Sequence, residues 1–166
     1  MTQTIFNFIG SDVGKWKVID TTTIKGKPLP EVMHVEMIQS GETAFNRKAT
    51  WSLRGVSSNL RYTEKLEQKE LASVQQELGR PDETLAALIP IRKTKEWWLL
   101  AQDERRKIFE HQSHHIQTGL RYLPPIARKL FHCHDLGEPF DFLTWFEFSS
   151  VHEKDFDELV QIKMIA

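Results

Sequence analysis

The chain has 166 residues and a mass of 19.4 kDa, with 22 Lys and Arg against 23 Asp and Glu and a formal net charge of −1 at pH 7. Hydrophobic residues at 40% and charged residues at 27% exclude a disordered or collagen-like chain, and the balanced charge excludes a basic nucleic-acid tail. A lone cysteine, Cys133, cannot close an internal disulfide, no apolar run approaches a bilayer span, and Met1 to Gly10 lacks a signal-peptide pattern, so the expectation is a cytoplasmic protein with no membrane and no nucleic-acid partner.

The first half reads as short strands: Ile5 to Ile9, Trp16 to Asp20, Met33 to Ile38 and Thr50 to Val56. In the third, Met33, Val35 and Met37 alternate with His34 and Glu36, the period of a sheet wet on one face, and Gly26, Pro28 and Pro30 mark a loop before it. From Thr63 to Leu78 the residues Leu66, Leu71, Val74 and Leu78 share a helical stripe, which Gly79 and Pro81 terminate. Ala86 to Lys93 reads as a buried strand. A helix then spans Gln102 to Tyr122 and is stopped by Pro124 and Pro125. Two strands follow, Ile126 to His134 and Phe140 to Phe148, and Ser150 with Glu153 forms a capping box for a last helix burying Phe156, Leu159 and Val160. From Ala86 the order is strand, helix, strand, strand, helix. That is the ferredoxin-like βαββαβ unit without its final strand, an α+β fold.

Six of the seven histidines follow residue 110, and His111, His114 and His115 share the long helix. At about 100° per residue, the apolar face collects Ile108, Phe109, Ile116, Leu120 and Leu123, with His115 at its edge and His114 turned away. Gly119, one turn beyond His115, leaves space on nearly the same face at ~1 kcal/mol relative to alanine. His115 is therefore either a hydrogen-bonded core histidine or a ligand facing a flat cofactor that passes close to the helix. A zinc site drawn from His111, His115, His132, Cys133 and His134 is disfavoured, because alternation sends His132 and His134 to the face opposite Cys133. On the same strand Ile126, Arg128, Leu130 and His132 share a face, standing a permanent cation between aliphatic side chains. It either snorkels or pairs with an acid, or it attracts an anion into an apolar pocket. Phe140, Phe142, Thr144, Phe146 and Phe148 share one face of the next strand and can face it. Trp97 and Trp98, just after Lys93, are either a core plug or an aromatic wall beside a lysine reaching for a carboxylate. No phosphate loop, dinucleotide fingerprint or nucleophile elbow is present.

Taken together, Ile89-Pro-Ile-Arg-Lys-Thr-Lys-Glu-Trp-Trp98, Gln102-Asp-Glu-Arg105, His115, Tyr122-Leu123, Arg128-Lys-Leu130, His132 and Asp141-Phe-Leu-Thr-Trp-Phe-Glu147 resemble the chlorite dismutase family, in particular its short-chain dimeric lineage. Phe6-x-Phe8-x-Gly10, Leu53-Arg-Gly-Val-x-Ser-Asn59-x-Arg61-Tyr62 and Leu78-Gly-Arg-Pro81 extend the resemblance through the first half. It implies a ferredoxin-like dimeric α/β-barrel in which residues 1–85 form a shortened first half and 86–166 the haem-binding half, with one haem b per subunit of a homodimer. Position by position, His115 matches the proximal iron ligand and Arg128 the distal, catalytic arginine. Lys93 matches the lysine that contacts a propionate, Trp97 and Trp98 the pocket tryptophan pair, and Thr144 and Phe146 the distal wall. Gly119 and Leu123 continue the cofactor side of the His115 helix.

The implied reaction converts chlorite to chloride and dioxygen, with Arg128 drawing in the anion. Relatives that decarboxylate iron coproporphyrin usually carry a neutral residue in place of Arg128. The sequence departs from the family pattern after Gln161-Ile-Lys-Met-Ile, ending at Ala166 before the Glu-containing segment that supports the proximal histidine and before the final strand. A truncated member is expected on that ground, and the competing readings are a non-enzymatic haem-binding or haem-sensing protein and an inactive family member.

Overall fold

The structure, a computed structural model, describes residues 4–40, 48–57, 78–107 and 126–157. Among the described residues, seven strands form one sheet: β1 (Ile5–Ser11), β2 (Trp16–Lys17), β3 (His34–Gln39), β4 (Trp51–Ser57), β5 (Leu85–Ile91), β6 (Ile126–His132) and β7 (Phe142–Phe148). Between β5 and β6 the described residues include two short helices, α1 (Lys95–Leu99) and α2 (Gln102–Lys107). The strand order is β2-β3-β1-β4-β6-β7-β5, and every neighbouring pair is antiparallel. Since β5 and β6 both run antiparallel to the β7 between them, they are parallel to each other. A helical connection between two such strands is the split β-α-β arrangement of the ferredoxin-like α+β fold.

Among the described residues, the two groups of strands meet at β4 and β6 through two register pairs, Val56 with His132 and Ser57 with Phe131. Gly55 makes that junction possible, because a Cβ there would stand 2.6 Å from the Cβ of Phe131. One face of the sheet carries the main core of Phe8, Leu53, Phe131, Cys133, Leu143 and Trp145. Phe131 meets Phe6 and Phe8 edge-on at 5.1 and 5.0 Å, a favoured aromatic geometry. The same burial pushes the Cys133 thiol up to about 12, with Glu138 and Asp141 adding to it. On the other face Ile126, Phe146 and Phe148 are closed by Phe156, whose ring stacks on Phe148 at 4.5 Å.

Several boundaries differ from those read in the sequence, each for a local reason. Strand β2 stops at Lys17 rather than Asp20; the chain then leaves for the Gly26 and Pro28 loop, and Ile19 is left 76% exposed. Strand β6 ends at His132: the Cys133 N–H still donates to the Asp141 carbonyl, but Cys133 leaves the extended region at ψ −17° to cap a 3-10 turn over His134–Leu136, which closes on Gly137 at φ 70°. Phe140 does not join the face of Phe142 and Phe146. It precedes β7 and packs against the main core on the opposite side. The Ser150 capping box does not form either: Ser149 is still extended and caps a 3-10 turn over Ser150–His152 without a side-chain hydrogen bond, and helical residues begin at 153. Phe156 packs half-buried against Phe146 and Phe148, while Leu159 and Val160 lie outside the described residues, as do most of the expected Thr63 to Leu78 helix and the expected Gln102 to Tyr122 helix beyond residue 107. Among the described residues, no helix is long and apolar enough to cross a membrane.

Candidate functional site

Strand alternation on β5, β6 and β7 lays four cross-strand rows over the face opposite the main core, the first of them Ile126, Phe148 and Leu85. Arg128 faces Phe146, which faces Ala87; Leu130, Thr144 and Ile89 form the next row, and His132, Phe142 and Ile91 the last. The face assignment made from period-2 alternation therefore holds for Arg128, Thr144 and Phe146. Thr144 and Phe146 are buried and Arg128 is half-buried. Burial pulls the Arg128 guanidinium below its ordinary value, yet a guanidinium stays charged in any protein setting, so a cation stands at this end of an apolar strip.

The opposite end is assembled where β5 finishes. Thr94 caps α1, its hydroxyl accepting from the Trp97 N–H at 3.2 Å, and Glu96 sits in the first turn where the helix dipole favours it. That five-residue helix, which hydrophobic periodicity does not reveal, turns Trp97 into the interior with its ring 5.8 Å from Phe142. Trp98 meets Trp97 edge-on at 4.9 Å and stacks on the His134 imidazole at 3.8 Å and 18°. Lys93 lies just before, with Nζ 5.3 Å from the Trp97 ring centroid. Burial pulls its amine below the usual lysine value, and nearby Asp141 acts in the opposite sense.

Arg105 locks the pair in place. Its Nε donates at 3.2 Å to the Trp97 carbonyl, which also accepts from the Leu100 N–H, and its Nη2 donates at 2.5 Å to the Trp98 carbonyl. The guanidinium carbon also lies 4.8 and 4.9 Å from the Trp97 and Trp98 ring centroids, within cation–π range. Arg105 was legible only as part of a motif, Gln102 to Arg105, to which sequence reading attached no role. Asp141 was read in the same way, and His134 was weighed only as a disfavoured zinc ligand.

Along β7, Phe142 and Phe146 are four residues apart, about 13 Å of strand. The strip is apolar apart from the Thr144 hydroxyl and the His132 imidazole beside Phe142, with Arg128 at one end and Lys93 near the other. At the Lys93 end, the Trp98 indole N–H is buried without a hydrogen-bond partner. Buried donors are normally satisfied, so this one suits an acceptor brought by a ligand. An apolar strip bounded by cations and a spare donor fits a flat, largely apolar cofactor that carries carboxylates, together with a small anion. His115, Gly119 and Leu123 lie outside the described residues. Of the other residues weighed as metal ligands, His132 faces this strip and Cys133 the main core; among the described residues no group of three His, Cys, Asp or Glu side chains is placed to hold an ion.

The fold and strip thus define a ferredoxin-like α+β protein with an anion-compatible aromatic strip on one face of its sheet. Residues 32–162 match the family model described as chlorite dismutase, and the chain belongs to that family. The chain is similar to the dimeric chlorite dismutase from Nitrobacter winogradskyi, with a TM-score of 0.84 and 46% identity over 95% of this chain and 88% of that one. A mutant chlorite dismutase from Candidatus Nitrospira defluvii matches with a TM-score of 0.55 and 33% identity, over 69% of this chain and 46% of that one. A chlorite dismutase from Ideonella dechloratans is 39% identical over 62 residues, which are 37% of this chain and 20% of that protein. The chain thus spans under half of the Nitrospira relative and a fifth of the Ideonella one.

Proposed function

We propose that this chain is a haem b-dependent chlorite dismutase, acting as a homodimer with one haem per subunit and converting chlorite to chloride and dioxygen. The observation that carries the reading is the apolar strip with Arg128 at one end and, at the other, Lys93 and the unpartnered Trp98 N–H. The residues present fit a haem: Ile89, Leu130, Thr144 and Phe146 would meet the macrocycle, and Lys93 Nζ would pair with a propionate. His115 is assigned as the iron ligand by its match to the family pattern. Bound haem supplies the redox-active iron that breaks Cl–O bonds and makes the O–O bond. The homodimer is supported by the dimeric Nitrobacter relative.

The chain's own residues then do three things. Arg128 is a fixed positive charge in a desolvated setting, where an anion such as chlorite is attracted far more strongly than in water. It also holds negatively charged fragments near their point of formation, so dioxygen rather than free oxidant is released. Phe146 and Thr144, both buried, keep bulk water away from that anion. Arg128→Ala tests the assignment: haem uptake should survive while oxygen release from chlorite falls at least tenfold or free oxidant leaks out. An unchanged rate and oxygen yield would refute the role.

A further inference from the structure

Asp141 sits where three segments of the site converge, and each of its polar groups is engaged. Its backbone N–H donates to Ile91 at the end of β5 at 2.9 Å, and its carbonyl accepts from Cys133 just after β6 at 2.9 Å. Its side chain divides between two further partners: Oδ2 accepts from the Lys93 backbone N–H at 2.5 Å, and Oδ1 lies 2.8 Å from His134 Nδ1. A carboxylate oxygen only accepts, so the proton of that contact belongs to the imidazole. The same imidazole stacks on Trp98 at 3.8 Å and 18°. Asp141 is itself buried at 8% exposure, whereas the His134 side chain is 44% exposed and would otherwise be free to rotate. The ring is held by the carboxylate on one side and the indole plane on the other.

We infer that Asp141, acting with His134, is the positioning residue of the Lys93 and Trp98 wall. One oxygen sets the backbone from which the Lys93 amine extends, and the other orients the ring against which the Trp98 plane is fixed. The inference rests on the haem reading above, because it is the carboxylate-bearing end of that cofactor that Lys93 and Trp98 would meet. Neither Asp141 nor His134 need touch the cofactor. Their effect is to present an ammonium and an indole N–H in a fixed arrangement before the ligand arrives, which lowers the ordering cost of binding.

The test is haemin titration of the purified chain and of D141N, H134A and H134F, with amide NMR spectra and thermal melts of each apo form. Asparagine keeps the volume of Asp141 but offers one accepting oxygen in place of two, and phenylalanine keeps a ring for Trp98 to stack on while removing the donor. The expected result is a haemin affinity lowered on the order of tenfold in D141N, as for other supporting-group changes around bound metals. The Lys93 amide resonance should move upfield, and the cooperative melt should be kept. H134A should weaken haemin, and H134F should recover most of that loss. Unchanged haemin affinity in D141N with a displaced Lys93 resonance would overturn the inference, as would equal losses in H134A and H134F or the disappearance of cooperative melting in D141N. Failure of the unsubstituted chain to take up haemin overturns the haem reading itself, and it is seen before any variant is compared.

Discussion

Arg128 on β6 and Phe146 on β7 stand directly opposite each other on the face that turns away from the main core. Cross-strand neighbours of this kind have Cβ atoms about 5 Å apart, so the half-buried Arg128 shares its face of the sheet with a buried aromatic side chain. Replacing Arg128 with Met keeps an apolar stem of similar length and removes the charge. Fluoride or azide binding to the haem-loaded R128M chain should weaken roughly tenfold or more, the scale of a hydrogen bond to a charged group, with haem uptake unaltered. Optical titration with either anion checks this, and equal affinities would show that Arg128 does not face the anion.

Glu147 tests the other side of the same strand. Only 3% exposed, it accepts from the Gly79 N–H at 2.6 Å and from the Trp145 indole N–H at 3.0 Å, tying the turn at 79 to β7. Glu147→Ala strands the buried Trp145 indole N–H and releases the Gly79 N–H toward water, and at about 1–3 kcal/mol for an unsatisfied buried group the loss in unfolding free energy should be about 1–3 kcal/mol. Glu147→Gln retains one accepting oxygen and should lose about half as much. Urea denaturation distinguishes the three proteins.

Gly55→Ala probes the junction of the two strand groups. The new methyl would meet Phe131 Cβ at 2.6 Å, a backbone-anchored atom that cannot swing aside. Overpacking of this kind costs about 1–3 kcal/mol. A denaturation midpoint equal to that of the unsubstituted chain would mean that β4 and β6 are not so closely paired.

The pH dependence of stability carries the signature of Glu83. This residue is 6% exposed, and burial raises its carboxyl above the ordinary 4.5 despite the pairing with Arg80, with Glu147 and Asp82 adding to the rise. The folded state therefore binds the proton more tightly than the unfolded state, so stability falls as pH rises from about 4.5 through the folded value. Glu83→Gln does not titrate and should lack that fall. Urea midpoints of both proteins between pH 4 and 7 measure the difference; parallel curves would contradict the raised value.

Period-2 alternation was enough to put Arg128, Thr144 and Phe146 on one face, because a strand has two faces and any three alternate residues declare theirs. It failed for Phe140, which obeys the same spacing but precedes the first paired residue of β7 and so is not bound by the pleat. The Trp97 and Trp98 wall was visible as residue types, yet its geometry was not. A helix of five residues is too short for a hydrophobic period, and what shapes it is the Thr94 cap together with Arg105, a buried guanidinium recruited from the next helix. Contacts such as those of Asp141 with Lys93 and His134 cross 48 and 7 residues of sequence, respectively. Pattern within a segment holds no trace of them, because they depend on where β5, β6 and β7 bring their ends together.

Adding haemin to the purified chain and then chlorite under an oxygen electrode tests the central claim most directly. A Soret band saturating at one haem per chain, followed by one dioxygen released for each chlorite consumed, is the result this account predicts. A chain that takes up no haemin, or a haem-loaded chain that leaves chlorite intact or consumes it without releasing oxygen, would contradict it.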